Sequence, residues 1–378
     1  MKQYDAAIIG GGLVGLLAAW YLSREGANII LLEANDFGAA ASGANAGSLH
    51  LQIQYPEFVK YGEDWARTYA PTLRILKASL AMWQSLGDEV GEDLDVKIGG
   101  GIIVARDATQ MRLIEAKAKI EATVGIETRI LDQDALLKEA PYLSKDALGG
   151  GVCSSEGKAN PLRVTFAISQ TAIAAGATLY RGTPVFDLSG RIGDFSIKTA
   201  RGTFRADKVI NTAGAKAADI AAMLGMKIEL GGFPLQVSVT EPIAPLIPHL
   251  VYSAAGKLSL KQASNGACII GGGWAANQRD NGHLVTNPLN FAGNMAIAAG
   301  VVPQIANART IRSWTAWVNG TSDWRPIIGE APRIPGFYLA LFPWVGFSAG
   351  PMTARIISDL VLGRPPTLKL DGISVLAD

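Results

Sequence analysis

Three glycines near the start of the chain and a later glutamate have the types and spacing that bind a dinucleotide. Gly10, Gly12 and Gly15 form G-x-G-x-x-G between an apolar run typical of a strand and a longer run typical of a helix. Glycine lets the backbone approach a pyrophosphate, and the helix N-terminus adds positive potential. Glu33 follows a second predicted strand, where its carboxylate can accept hydrogen bonds from both ribose hydroxyls. The pattern favours dinucleotide binding over a purely structural glycine turn.

These residues can act together only if a strand, a turn and a helix place them, and the flanking sequence predicts that βαβ unit. Residues 4–9 are typical of a buried strand, residues 13–25 of a helix, and residues 28–32 of a second strand. A loop rich in glycine, alanine and serine comes next. It leads into a long helical stretch over residues 57–87 that contains turn-forming breaks.

The middle of the chain leaves this unit and later returns to it. Residues 96–105 predict a strand pair around Gly99–Gly101, and residues 108–123 predict an amphipathic helix. Pro161 and Gly176 suit the start and the end of a further helix. Six more strands are then predicted, three returning to the dinucleotide domain and three forming an antiparallel sheet: residues 183–188, 195–199, 208–211, 233–240, 250–260 and 267–272.

This order predicts an α/β protein of two lobes. A chain of 378 residues that is 49% hydrophobic can bury a large core. We expect a Rossmann-like dinucleotide-binding domain interleaved with a substrate domain built on a largely antiparallel sheet. The first domain is predicted to comprise residues 1–80, 150–222 and 315–378, and the second residues 81–149 and 223–314.

Composition excludes several functional classes. The chain has 34 basic and 33 acidic residues, without the basic excess that nucleic-acid binding needs. With two cysteines, Cys153 and Cys268, it cannot build a disulfide framework or a four-thiolate cluster, which fits a cytoplasmic location. The apolar stretch over residues 6–22 is interrupted by Gly10–Gly12, so we expect no membrane insertion. No metal site is predicted.

Four segments, in a fixed order along the chain, carry a family resemblance. They are the βαβ unit, Ser42–His50 (SGANAGSLH), Val209–Gly214 (VINTAG), and Asp323–Gly329 (DWRPIIG) followed by Trp344–Met352 (WVGFSAGPM). Together they resemble the D-amino acid oxidase superfamily of FAD-dependent oxidoreductases, which includes glycine oxidase and sarcosine oxidase. The resemblance implies FAD rather than NAD. It also implies noncovalent binding, because neither cysteine lies in the C-terminal segment where some members attach the flavin.

The resemblance also implies which residues contact the cofactor. They come from the glycine turn, the Ser42–His50 loop, a strand near residue 185 that passes the adenine, the turn at Gly214, and the C-terminal flavin segment. The implied cofactor-binding residues are Gly10, Gly12, Leu13, Val14, Gly15, Glu33, Ala34, Ala41, Ser42, Asn45, Ala46, Gly47, Leu49, Val185, Ala213, Gly214, Gly346, Phe347, Gly350, Pro351 and Met352.

The substrate side of the site is predicted from fewer residues. His50 follows the flavin loop and has the chemistry to accept a proton or to bind a substrate carboxylate, although a structural role is also open. Tyr252 resembles a substrate-lobe tyrosine of the family. Trp274, Trp317 and Trp344, with Gln52 as a weaker candidate, are expected near the substrate, and ordinary packing remains the alternative for each. The other two histidines, His249 and His283, are expected to be exposed.

One departure from the family bears on the substrate. Glycine oxidase-like relatives place a carboxylate-binding arginine where this chain has Val318, and valine cannot form a bidentate pair. Arg325 and Lys261 are the alternatives nearest in sequence. The ANAGSLH stretch of the loop and the turn Gly271–Trp274 most resemble the β subunits of multi-subunit opine oxidases. That resemblance implies a chain that oxidises an opine, a secondary amine joining an amino acid to a 2-oxo acid.

A β subunit implies partners. Electrons are expected to leave through a companion α flavoprotein and a small cysteine-rich subunit. The alternatives are a D-amino acid, D-hydroxyproline, glycine or sarcosine oxidase or dehydrogenase. A further alternative, of another class, is a noncatalytic FAD-binding assembly subunit. The sequence leaves open the electron acceptor and the exact amine.

Overall fold

A computed structural model describes residues 3–374 and 376, and it contains ten α-helices within that part of the chain. The helices are α1 Leu13–Arg24, α2 Ala41–Ala44, α3 Tyr55–Tyr69, α4 Leu73–Val90, α5 Ala108–Ala122, α6 Gln133–Glu139, α7 Pro161–Ala174, α8 Ala217–Met223, α9 Pro288–Val301 and α10 Gly346–Val361. None of these helices has both the length and the apolar character needed to cross a bilayer.

The strands fall into two sheets of eight and two small two-stranded sheets. The first ten strands are β1 Gln3–Ile9, β2 Ile29–Leu32, β3 Ser48–Leu49, β4 Gly101–Ala105, β5 Arg129–Asp132, β6 Gly149–Cys153, β7 Gly157–Lys158, β8 Thr178–Tyr180, β9 Val185–Arg191 and β10 Asp194–Thr199. The others are β11 Gly202–Asn211, β12 Gly231–Pro242, β13 Leu250–Ser253, β14 Ser259–Gln262, β15 Ala267–Ala275, β16 Asn277–Gln278, β17 Leu284–Val285, β18 Thr310–Gly320, β19 Ile327–Glu330 and β20 Phe337–Leu341.

The first large sheet has the order β19-β20-β11-β1-β2-β8 and a parallel centre. The long strand β11 pairs antiparallel with β10 along its first half and parallel with β20 at its end. Strand β2 is buried throughout, and α1 buries ten of its twelve residues, because the helices cover the sheet. The predicted βαβ unit is confirmed, with element ends shifted by one residue.

The second large sheet has the order β18-β12-β15-β14-β13-β4-β6-β5. Every neighbouring pair in it is antiparallel except β4 with β13. The predicted fold class, a Rossmann-like unit interleaved with a largely antiparallel sheet, is therefore confirmed. The chain contributes strands to the first sheet before residue 33, between residues 178 and 211, and again after residue 327, so the two sheets alternate along the sequence.

One local prediction was wrong. Residues 96–105 contain one strand, β4, and Lys97 makes only an isolated bridge to Lys158. Glycine is required just before β4 because a Cβ on Gly99 would lie 2.4 Å from the carbonyl oxygen of Pro248. The predicted helical stretch over residues 57–87 with its turn-forming breaks is confirmed: it comprises α3 and α4, and Gly62 interrupts α3 with φ +79°. Glycines that break regular structure for packing reasons cannot be told apart from turn glycines by sequence.

The division into domains remains a prediction. The proposed boundary between residues 149 and 150 falls inside β6, and that between residues 314 and 315 falls inside β18. Both strands belong to the second large sheet. We therefore expect the true boundaries to lie in the connections on either side of these strands.

Candidate active site

The glycine turn leaves no room for side chains. A Cβ on Gly15 would lie 2.0 Å from the carbonyl oxygen of Gly10, and one on Gly10, where φ is +115°, would lie 2.6 Å from that of Thr212. The Ser42 hydroxyl accepts a hydrogen bond of 2.9 Å from the amide of Leu13, the first residue of α1. The loop that begins at α2 thus packs over the N-terminus of α1, where the orphan N–H groups and the helix dipole favour an anion.

The carboxylate of Glu33 points back to the glycine turn from the end of β2. It accepts hydrogen bonds from the amides of Gly11, at 2.6 Å, and Asn35, at 2.7 Å. The amide of Thr183 donates to the Glu33 carbonyl, which brings the chain just before β9, and with it Val185, beside this corner. Glu33 and Val185 therefore lie together at the carboxyl end of the parallel strands, where ribose and adenine bind in such sheets.

A cavity of about 830 Å³ lies between the two large sheets and takes residues from both. It extends from the start of α1 past the Ser42–His50 loop to β12, β13, β18 and the start of α10. The sequence-predicted residues that line it are Gly12, Leu13, Val14, Ala41, Ser42, Asn45, Ala46, His50, Gln52, Gly214, Tyr252, Val318, Trp344, Gly346 and Phe347. The predicted residues that lie outside its lining are Gly10, Gly15, Glu33, Ala34, Gly47, Leu49, Val185, Ala213, Lys261, Trp274, Trp317, Arg325, Gly350, Pro351 and Met352.

Packing explains why several of these residues lie outside the cavity lining. A Cβ on Gly350 would lie 2.6 Å from a methyl carbon of Leu13, so this glycine allows α10 to pack closely on α1. Leu49 is fully buried in the core. A Cβ on Gly47 would lie 2.2 Å from the carbonyl oxygen of Ala159. Packing explains the residue types at these three positions, and their expected contact with the cofactor stays a prediction.

The positions of the tryptophans on β18 follow from the alternation of side chains along a strand. Successive side chains on β18 point to opposite faces, so Trp314, Ala316 and Val318 line the cavity and Trp317 does not. Trp317 was predicted from the sequence and Trp314 was not; the Trp314 indole donates to the Ala44 carbonyl at 2.7 Å. Trp274 also lies outside the cavity, where its indole donates to the carbonyl of Lys257.

His50 and Tyr252 meet on the cavity wall. The Nδ1 atom of His50 lies 2.7 Å from the Tyr252 hydroxyl, and both residues line the cavity. Burial, with the charge of Lys261 as a smaller cause, lowers the pKa of His50 to about 3. The imidazole is therefore neutral at ordinary pH, and a neutral imidazole has one nitrogen that accepts a hydrogen bond.

A buried lysine and three serines support this wall. The ammonium of Lys261 donates to the Ser48 hydroxyl at 2.6 Å, and Ser48 lies 3.0 Å from the Ser259 hydroxyl. The Ser348 hydroxyl, at the start of α10, accepts from the amide of His50 at 2.7 Å. Burial, followed by the charge of Lys158, lowers the pKa of Lys261 to about 7. Lys261 stands behind the wall and does not serve as the carboxylate anchor that its sequence position suggested.

A buried charge cluster lies behind the segment that follows His50. Glu156 is fully buried and accepts hydrogen bonds from the amides of Leu51, at 2.6 Å, and Gln52, at 2.9 Å. Lys117 donates to the Gln52 side-chain oxygen at 3.0 Å and to buried Glu121 at 2.6 Å. Sequence reasoning missed Glu156, because its local sequence, Ser-Ser-Glu-Gly, is that of an ordinary exposed turn.

Charged side chains surround the open part of the cavity. Lys60 and Lys257 are exposed residues of its lining, and Glu57 lies with them. Burial raises the pKa of Glu57, and the charges of Lys257 and Lys60 oppose that rise. Val318 contributes an apolar side chain to the same cavity. The cations available to a substrate acid group are therefore lysines that the sequence analysis did not select.

A family model described as FAD dependent oxidoreductase, DAO, matches residues 5–360. The chain belongs to this family. The expected cofactor is thereby confirmed as FAD, and the chain is an FAD-dependent oxidoreductase.

Two relatives and one solved structure illustrate how similar this chain is to other proteins. Glycine oxidase of Geobacillus kaustophilus (strain HTA426) is 26% identical over 371 residues, 95% of this chain and 93% of that protein. The B subunit of opine oxidase from Agrobacterium tumefaciens (strain Ach5) is 27% identical over 349 residues, 90% of this chain and 88% of that protein. The crystal structure of the Geobacillus glycine oxidase matches with a TM-score of 0.86 and 23% identity, covering 99% of each chain.

The geometry of this DAO-family chain fits FAD. The turn at Gly10 and Gly15, where no side chain fits, and the start of α1, whose N-cap residue Gly12 has no side chain, suit a pyrophosphate, and Glu33 suits a ribose. Gly346 and Phe347, at the start of α10, would hold the ring from the cavity side. Bound FAD supplies the hydride acceptor, so the protein has to orient the amine, exclude water and remove a proton from nitrogen.

Proposed function

We propose that the chain oxidises the Cα–N bond of a carboxylated secondary amine, and that the amine is an opine of the octopine or nopaline type. Hydride loss from Cα with proton loss from nitrogen gives an imine. Water then splits the imine into an amino acid and a 2-oxo acid. The similarity to the B subunit of opine oxidase over most of the chain supports this class.

The observation that carries the proposal is the polarity of the cavity. Val318 lies on its wall where a bidentate arginine would hold a small amino acid, so a substrate must be held elsewhere. Lys60 and Lys257 lie in the cavity lining and offer two cations for the two α-carboxylates that an opine inherits from its parent acids. Glu57, which interacts with the charges of both lysines, suits the guanidinium of an arginine-derived opine. A glycine or sarcosine molecule would leave most of these groups without a partner.

The substrate preference is tested by anaerobic flavin reduction. Octopine and nopaline should bleach the flavin with a much larger second-order rate constant than glycine, sarcosine, D-alanine or D-hydroxyproline. Loss of one charge-assisted carboxylate pair costs about 1.5–3 kcal/mol, which corresponds to a roughly 10–100-fold preference. Equal or reversed preference would overturn the opine assignment and leave the small-amine alternatives.

Val318→Arg sharpens this test. The arginine adds bulk and a bidentate donor, so it should weaken opine oxidation and recruit glycine or sarcosine. Ile311→Arg is the matched control, because Ile311 is exposed on the same strand and outside the cavity lining. Selectivity that changes equally in both variants would show that residue 318 does not select substrate.

We further propose that the chain is the substrate-oxidising β subunit of a heteromeric enzyme, with an α flavoprotein and a small cysteine-rich subunit as electron acceptors. The subunit designation of the opine oxidase relative supports this assembly. The isolated chain should then be reduced quickly by substrate but reoxidised slowly by oxygen, and an artificial electron-acceptor dye should restore turnover. Rapid reoxidation by oxygen alone would favour a self-sufficient oxidase.

A further inference from the structure

The cavity wall around Val318 is apolar on two neighbouring strands. Strands β12 and β18 pair antiparallel there, and Phe233 lies directly across from Val318, with Leu235 across from Ala316. Directly paired residues project to the same face of a sheet, and all four line the cavity. This stretch of wall therefore presents apolar side chains to a substrate.

An indole extends this wall beyond Val318. Gly320 follows Val318 by two residues on the same face of β18 and has no side chain. A Cβ there would lie 2.3 Å from the Trp344 indole and 2.8 Å from the Phe233 ring, so the two rings occupy the space above Gly320. Their centroids are 4.5 Å apart. The residues of this wall, which we call the aromatic panel, are Phe233, Leu235, Ala316, Val318 and Trp344.

The backbone conformation that places this indole is a strained one. Trp344 and Trp324 have φ of +63° and +70°, and among the described residues Asp95 is the one other non-glycine residue with positive φ. Bulky residues rarely adopt this conformation, and such strain persists where the surrounding structure requires it, commonly at functional sites. The two indoles stack, with centroids 5.1 Å apart and planes 21° apart, and both line the cavity. The fold thus maintains a strained turn that keeps an indole on the cavity wall.

The chemistry of the panel defines the ligand group that it can take. The panel has no cation to hold a carboxylate, and the face of an indole carries the negative side of its quadrupole. A guanidinium suits this surface because it is planar, more weakly hydrated than an ammonium, and stacks on aromatic rings. Half-buried Glu57 brings a carboxyl group to the same cavity, where it can pair with the in-plane N–H groups of such a cation.

We propose that the aromatic panel determines specificity by taking the guanidinium arm of an arginine-derived substrate, with the planar cation stacked on Trp344 and its methylene groups against Val318 and Phe233. The inference deepens the proposed function and rests on it for the identity of the substrate. It also gives a physical reason for the missing arginine at residue 318, because a guanidinium there would repel that of the substrate.

Binding without turnover tests the panel. N-acetyl-L-arginine has the guanidinium arm and a carboxylate but no amine that can be oxidised, and N-acetyl-L-citrulline replaces the cation with a neutral group of the same shape. Isothermal titration calorimetry of the FAD-loaded protein should show the arginine compound binding on the order of 10–100-fold more tightly. In Trp344→Leu that ratio should fall by about 3–30-fold, and Trp344→Phe should retain part of the preference.

Two further variants control the measurement. Trp317→Leu is the matched control, because Trp317 neighbours Val318 on β18 but lies outside the cavity lining, and its ratio should equal that of the wild type. Trp344→Gly keeps the test decisive if the leucine variant does not fold, because glycine adopts a φ of +63° freely. The glycine variant should lose the preference for the arginine compound as the leucine variant does.

Equal binding of the two compounds to the wild type, or no measurable binding of N-acetyl-L-arginine, would overturn the inference. So would an unchanged ratio in folded Trp344→Leu or Trp344→Gly. These measurements need no oxidation, so their failure is distinct from a failure of the opine assignment. If octopine and nopaline are not oxidised but the ratio changes as expected, the opine proposal falls and the guanidinium site stands. If they are oxidised and the ratio does not depend on residue 344, the opine proposal stands and the panel loses its role.

Discussion

Two histidine–tyrosine pairs in this chain have almost the same local geometry and very different surroundings. Nδ1 lies 2.7 Å from the hydroxyl in both His50–Tyr252 and His249–Tyr142, with ring centroids 5.7 and 6.0 Å apart. The first pair lines the cavity and has buried Glu156 behind it, whereas the second lies outside the cavity lining. The nearby carboxylate of Glu139 already binds Arg129.

Because the hydrogen bond to tyrosine is common to both pairs, it does not by itself set the role of a histidine. What differs is access: His50 faces the cavity, whereas His249 lies outside its lining. His249 was expected to be exposed but is half-buried by this contact with Tyr142. It therefore serves as an internal control for His50 in the same molecule.

Removal of the imidazole should give the largest difference between the two pairs in the rate of flavin reduction. His50→Asn keeps a polar group near Tyr252 but has no equivalent of Nε2, so flavin reduction by the best amine should slow about 10²–10⁴-fold. His249→Asn should leave the reduction rate unchanged. Single-turnover stopped-flow measurements check both variants, and equal rates in the two would remove His50 from the chemistry.

A smaller effect should follow from displacing the carboxylate behind the first pair. A Cβ on Gly101 would lie 1.8 Å from Glu156 Oε2, so Gly101→Ala must push the buried acid out of place. We expect the free energy of unfolding to fall by about 2–3 kcal/mol. Gly271→Ala is the control, because its Cβ would meet Val237 at an ordinary 3.6 Å. Urea unfolding of both apo-proteins provides the comparison, and similar losses would argue against a special constraint at Gly101.

The buried lysine near the first pair, Lys261, should make the stability of the protein depend on pH. An unfolded lysine keeps its proton up to a pKa of about 10.4, whereas folded Lys261 loses it near a pKa of about 7. The unfolded state therefore binds more protons in between, and wild-type stability should rise with pH by about 1 kcal/mol per unit relative to Lys261→Met. Urea unfolding of the apo-proteins at pH 7 and 9 measures this slope. Parallel pH curves for the two proteins would contradict the lowered pKa.

The smallest expected effect is the loss of one hydroxyl. Tyr252→Phe and Tyr142→Phe each remove a hydrogen bond to a histidine, so each should lower the free energy of unfolding by about 1 kcal/mol. Only Tyr252→Phe should also slow flavin reduction. Chemical unfolding and stopped-flow reduction on the same preparations separate the two effects, and slowed reduction in Tyr142→Phe would erase the distinction between the pairs.

The sequence predicted the cofactor region well because its signals are local. Gly10, Gly12 and Gly15 lie within six residues, and their steric role depends on the turn that they themselves form. The FAD family and the largely antiparallel second sheet were also predicted correctly. His50 and Tyr252 were each selected, but no local pattern indicates that residues 202 positions apart share a hydrogen bond.

The errors have a common physical origin in long-range packing. Side chains were expected to alternate between the two faces of β18, but the sequence did not indicate which face borders the cavity. Trp317 was therefore predicted instead of Trp314. By its local sequence Glu156 resembles a solvated turn residue. The hydrogen-bond donors that its buried carboxylate contacts come from residues near position 52, far away in sequence, so they could not be predicted. The predicted cofactor contact of Gly350 stays a prediction: this glycine also allows two helices to pack closely, and close helix packing and close cofactor approach both require glycine.

The alternation of the two sheets along the chain has a consequence for biosynthesis. Strand β1 pairs on one side with nearby β2 but on the other with β11, about 200 residues later, and β11 in turn pairs with β20 near residue 337. At synthesis rates of about 5–20 residues per second, one edge of β1 waits on the order of 10–40 seconds for its partner. During that time the nascent chain has an unpaired apolar strand edge, the kind of surface that chaperones bind and that otherwise aggregates.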